Sequence, residues 1–181
     1  MLKFLEKLTP EQRARIPTEA AALKILTSSA SHASSSLDKF ATWFLAAFGA
    51  ALTTLLSNYK DLEALITVAQ IKASASLFIC AVVFGVVQKY LAAIVTAVAA
   101  AAKDGEAIGK EVPFDFDHLI QAVRTALPFP MRLIANSMFK KIEHGEFLIA
   151  GKLMQWLVLL QGLMLLGQSV ELVRALTKIF P

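Results

Sequence analysis

Cysteine is nearly absent. One residue, Cys80, stands in 181, so no internal disulfide can staple this chain. Its place inside an apolar run is that of a small buried hydrophobe. Charge is also sparse, at 18% of residues against about 25% in ordinary soluble domains. Three histidines, His32, His118 and His144, are all there are. None has a partner at metalloprotease spacing, and no Cys/His group has zinc spacing. A metal site built from Asp115, Asp117 and His118 with Glu143, His144 and Glu146 would need both ends of a helical segment to meet, and Asp117 already reads as a helix cap. Metal and cofactor are therefore not expected. A glycine-rich phosphate loop and a local Ser/His/Asp signature are also missing. The run Ser28–Ser36 around His32 has the composition of a linker or of small packing residues, not of a nucleophile. Together these absences point away from an enzyme. Residues 1–36 hold no apolar core followed by a small-residue cleavage site, so no secretory signal is read there.

What is present is apolar length. Hydrophobic residues make up 56% of the chain, and mean hydropathy is +0.60. The excess collects in three blocks, roughly 37–56, 73–102 and 147–173. Each is long enough, at about 1.5 Å per residue, for a hydrocarbon core of ~30 Å. Alternation with period two is missing, which excludes a transmembrane β-barrel. The expected fold is an all-α integral membrane protein with three transmembrane helices. An N-terminal helical arm and an amphipathic helical segment between spans 2 and 3 complete it. The corresponding divisions are 1–36 for the arm, 37–102 for spans 1 and 2, 103–146 for the connector, and 147–181 for span 3 with a short tail.

Along the chain, Met1–Leu8 reads as a short amphipathic helix carrying Leu2, Leu5 and Leu8 on one side. Thr9-Pro10-Glu11-Gln12 has the form of a capped helix start with proline in the first turn, and Pro17-Thr18-Glu19 repeats the signal. Serine-rich 28–36 suits a linker. A second pattern argues for helix instead. Ala30, Ser34, Asp38, Thr42, Ala46, Ala50 and Thr54 recur every four residues into the first block. Small residues so spaced let membrane helices approach closely, so one long helix entering the membrane is expected. Asp38 and Lys39 would stand near the interface, and Trp43 near the headgroup boundary.

Span 2 has a similar row, with Ala81, Gly85, Ala93 and Ala97 as candidate packing positions alongside Thr42, Ala46, Ala50 and Thr54 of span 1. Gln88 and Lys89 interrupt the span, and Lys89 falls in the same register as the small residues. An ionisable residue inside a span is a functional candidate. The competing reading ends the span near Val87 and lets Lys89 snorkel beside Tyr90. The connector 103–117 is followed by helices expected over 118–127 and 131–143. The second has Met131, Ile134, Ala135, Met138 and Ile142 on one face and basic residues opposite. Arg132, Lys140 and Lys141 are therefore candidates for lipid headgroup contact. Span 3 places Gln155, Gln161 and Gln168 on one broad face. With Gln88 and Lys89 they are candidates for a polar path or a helix interface, because such groups need partners in lipid.

Lys and Arg count six in residues 1–39, two in the first connector, six in 103–146 and two in the tail. That alternation predicts three spans in a cell (inner) membrane with the N-terminus cytoplasmic. The net charge of +4 is then a matter of topology and anionic lipid, and no nucleic acid is expected. The functional expectation is a small multi-pass protein that self-associates as a homo-oligomer and forms a pore or channel, or perturbs the membrane as an effector. The alternative is an anchor or scaffold subunit for a soluble partner, for example in a bacterial defence or secretion complex. A transporter is disfavoured by the small number of spans and the missing inverted repeat.

Overall fold

A computed structural model describes residues 9–62, 66–111 and 148–179, and positions 118, 121, 122, 125, 126, 132, 136, 137, 140 and 141 between them. The described residues are helical, with no strand among them. The elements are α1 (Pro10–Ser57), α2 (Tyr59–Leu62), α3 (Val68–Glu111) and α4 (Ile149–Ile179). Three of them contain stretches long and apolar enough to cross a membrane: Arg13–Ser57, Val68–Asp104 and Ile149–Ile179.

α1 begins as its sequence dictates. The Thr9 carbonyl accepts the first helical bond, from Arg13 N at 3.0 Å, and Pro10 occupies the first helical position, where a missing N–H costs nothing. The expected second start at Pro17 is not a break, and the helix runs through it. The serine run is also helix. Its hydroxyls turn back on the preceding turn: Thr27 Oγ1 donates to the Leu23 carbonyl at 2.9 Å, Ser29 Oγ to Leu26 at 3.0 Å and Ser36 Oγ to His32 at 3.0 Å. Side chains that would otherwise compete for the backbone thus bond within the helix.

α3 starts on a capping box that the sequence reading did not single out. Gln70 Oε1 accepts from Thr67 N at 2.7 Å, and Thr67 Oγ1 accepts from Gln70 N at 3.3 Å. The helix also extends past Ala102, where a connector was expected, and ends at Glu111. Alanine-rich 97–102 propagates helix well, and an isolated glycine such as Gly105 or Gly109 costs only about 1 kcal/mol. α4 likewise continues beyond Val173 to Ile179. The expected helices at 1–8, and most of those at 118–127 and 131–143, lie outside the described residues.

Burial along each helix recurs every seven residues. The buried positions include Thr27, Ser34, Ala41 and Phe48 on α1, Ser74, Ala81, Gln88 and Val95 on α3, and Met154, Gln161, Gln168 and Ala175 on α4. A strict seven-residue recurrence is the signature of helices packed with a left-handed twist. Many other apolar side chains point outward. Trp43 is 77% exposed, Leu166 63% and Val86 62%, which suits surfaces facing lipid, where no hydrophobic drive buries them.

Two compact units divide the chain. One comprises Met1–Ala30 with Ala97–Trp156, the other Ser31–Thr96 with Leu157–Pro181. In the first, α4 lies close on α1. A Cβ added to Gly151 would sit 2.9 Å from Leu26 Cδ1 and 3.0 Å from Leu26 Cβ, so only glycine fits that approach. In the second unit α1 and α4 run parallel, since Gln161 meets Ser34 and Gln168 meets Ala41, each pair 127 positions apart. α3 runs antiparallel to α1. Its Phe78 stacks on Phe48 at 5.5 Å between centroids, and its Lys89 reaches Asp38. The apolar core of this unit gathers Phe48, Leu52, Ile66, Ala81, Leu172, Ala175 and Ile179.

Candidate functional site

The three α4 glutamines all reach α1. In the first unit Gln155 Nε2 donates to the Leu26 carbonyl and to Ser29 Oγ, both at 3.0 Å. In the second unit Gln161 Nε2 donates to the Ser34 carbonyl at 3.0 Å and Gln168 Nε2 to the Ala41 carbonyl at 3.1 Å. These carbonyls keep a second lone pair after serving the helix, and the small side chains Ser34 and Ala41 leave room to reach it. Such bonds in lipid contribute about 0.6 kcal/mol on average and up to ~2. Gln161 and Gln168 are fully buried, and so is Gln88 of α3. The three α4 glutamines thus act, within each unit, as fasteners between α4 and α1.

Lys89 behaves differently. Its Nζ donates to Asp38 Oδ1 at 3.0 Å and to Thr42 Oγ1 at 2.9 Å, while Thr42 Oγ1 donates to the Asp38 carbonyl at 2.8 Å. The cluster lies on the outer flank of the unit, with side-chain exposures of 50% for Lys89 and 34% for Asp38. Lys89 therefore both meets another helix and keeps an open side. The sequence reading makes Asp38 only an interface marker. A signal for its role exists there: it is the sole acid between Glu19 and Asp61, and Lys89 is the sole charged residue between Lys72 and Lys103. Opposite charges so isolated in apolar helices favour meeting each other. A second ion pair, Arg174 to Glu171 at 3.1 Å, joins neighbouring turns of α4.

Of the candidate packing residues, Ala81 and Gly85 are buried. A Cβ on Gly85 would meet Leu45 Cδ1 at 2.7 Å and Gln168 Oε1 at 3.4 Å. Thr42, Ala46, Ala50, Thr54, Ala93 and Ala97 are exposed, and of these Thr42 meets α3 through Lys89. On α1 the outward small and polar residues form a narrow flank: Ser35 and Thr42 stand seven residues apart, and Lys39, Ala46 and Thr53 recur at the same spacing. Thr42 belongs both to this flank and to the charged cluster. Arg132, Lys140 and Lys141 are helical and exposed, as headgroup contact would require. Among the described residues no group of three His, Cys, Asp or Glu is placed to hold a metal ion. No family model, curated protein or solved structure matches this chain.

Proposed function

We propose that this is a small multi-pass membrane protein that self-associates in the bilayer and forms, between its copies, a polar path or a membrane-perturbing assembly. The observation that carries this reading is the Lys89–Asp38–Thr42 cluster on the outer flank of the second unit. An ion pair on the outside of apolar helices is poorly served by lipid tails, because a charge at the helix centre costs at least ~2.5–3.5 kcal/mol on insertion scales. A second copy, or water held between copies, would serve it better. The flank of Ser35, Thr42, Ala46 and Thr53 would let two α1 helices approach closely there. Gln161 and Gln168 donate to α1 within each copy, which leaves the path between copies to the outer cluster. Three helices are too few to enclose a water-filled channel, so conduction needs several chains. The basic-residue count supports a cytoplasmic N-terminus in the cell (inner) membrane. Arg132, Lys140 and Lys141 would then face anionic headgroups on that side.

Reconstitution in liposomes tests the reading. The purified chain should be oligomeric in mild detergent and release entrapped ions, and Lys89→Ala should reduce both. A monomer without flux would contradict it.

A second reading, an anchor or scaffold for a soluble partner, draws support from helix length. At 48 and 44 residues, α1 and α3 run to about 72 and 66 Å, more than twice a hydrocarbon core, which leaves helix outside the bilayer for a partner to grip. A stoichiometric soluble partner in the purified sample, with no flux from the chain alone, would favour it.

A further inference from the structure

The second unit buries more polar atoms than it pairs. Ser34, Gln88, Gln161 and Gln168 have no exposed surface. Ser34 Oγ, both side-chain amide atoms of Gln88, and Oε1 of Gln161 and of Gln168 meet no hydrogen-bonding partner within the protein. Each such atom has given up its hydration with nothing in return, and native proteins carry only a few of them per hundred residues.

These atoms lie in order along the unit. Gln161 is fixed at the height of Ser34 and Gln168 at the height of Ala41, about 10 Å of helix rise apart. On the antiparallel α3, Gly85 faces Gln168 Oε1. Gln88 follows one turn later on the same buried face, at a height between the two α4 glutamines. The polar column ends at an apolar layer, where Phe48, Leu52, Ala81 and Leu172 close the core.

We propose that this column is a water-binding site, in which ordered water bridges the Gln88 amide to Gln161 Oε1, Gln168 Oε1 and the Ser34 hydroxyl. The donor and acceptor balance selects the ligand. Three amide oxygens stand against one amide nitrogen and one hydroxyl, so an anion is repelled. A cation finds no carboxylate in the set and has the Lys89 ammonium carried by the adjacent residue. Water donates twice and accepts twice, and completes both kinds of group. The apolar layer closes the column at that end. This inference is independent of self-association, since every group belongs to one copy.

Radiolytic hydroxyl labelling of the full chain in detergent tests it, because bound water generates radicals that mark its neighbours. Leu165 lies on the buried face between Gln161 and Gln168, and Leu52 lies in the apolar layer. Each is 8% exposed. The site predicts several-fold greater labelling of Leu165 than of Leu52, and loss of that contrast in Gln88→Leu. Equal, weak labelling of the two leucines in the native chain would overturn the proposal, whether or not the variant folds. Thermal unfolding gives a test of opposite sign. Gln88→Leu lowers the melting temperature if it dismantles a hydrated network. A rise, the expected result of deleting two dry unpaired atoms, would also overturn it.

Discussion

At the scale of single residues, two kinds of position set how closely the helices approach: glycines that admit a neighbour and glutamines that fasten it. Gly151 and Gly162 make a clean comparison on α4. A methyl group at 151 would collide with the Leu26 Cβ and Cδ1, whereas one at 162 would meet nothing within 4 Å. Gly151→Ala should therefore cost about 1–3 kcal/mol through overpacking, and Gly162→Ala should gain up to about 1 kcal/mol from helix propensity. Thermal unfolding in one detergent checks the opposite signs. Among the glutamines, Gln155 makes two bonds to α1, while Gln161 makes one and carries an unpaired Oε1. Gln155→Leu should lose roughly 1 kcal/mol, and the same assay should find Gln161→Leu less harmful if its oxygen were dry, or equally harmful if water completes it.

Helices show most clearly what was legible beforehand. The three apolar blocks, the cap at Thr9-Pro10 and the helical character of the serine run could all be read from spacing and residue type. The buried face could not be read as well. A row every four residues turns about 400° per step and so drifts by about 40°, which carries Thr42, Ala46, Ala50 and Thr54 from one flank of α1 across its outer side. Helices that pack over many turns instead keep a seven-residue recurrence, which Ser34, Ala41 and Phe48 follow and the expected row does not. Gln88, Gln161 and Gln168 stand out by their polarity, but their inward direction depends on that seven-residue register. Continuity through Pro17 was also hidden, because a proline near a helix start reads equally well as a new start. The helix forgoes the N–H bond from position 17. Pro17→Ala should restore it and slow amide hydrogen exchange over the surrounding turn, as measured by mass spectrometry. Unchanged exchange there would mean that the turn is already held by other contacts.

For the whole molecule, the issue is which surface is left over once the chain has satisfied its own helices. The α4 glutamines are used within the chain, on α1. The outward flank of α1, with the Lys89–Asp38–Thr42 cluster beside it, is polar and narrow and built of small residues. Lys89 reaches Asp38 and Thr42 from an open side, so Lys89→Ala should weaken association, as read by oligomeric state in mild detergent. Three crossings also predict that reporters fused to the two ends lie on opposite sides of the membrane, with the N-terminal one in the cytoplasm. Self-association through the α1 flank is tested most directly by cysteine cross-linking in membranes. Cys80 is the chain's one thiol and is exposed, not buried as its apolar run suggests, so Cys80→Ser supplies a silent background. Ala46 and Ala51 are both exposed alanines of α1, and five residues of helix turn them about 140° apart. In the cysteine-free background Ala46→Cys, on the flank, should form a disulfide-linked dimer on mild oxidation, and Ala51→Cys, on a different side of the helix, should not. Cross-linking at neither position, or equally at both, would contradict association through this flank.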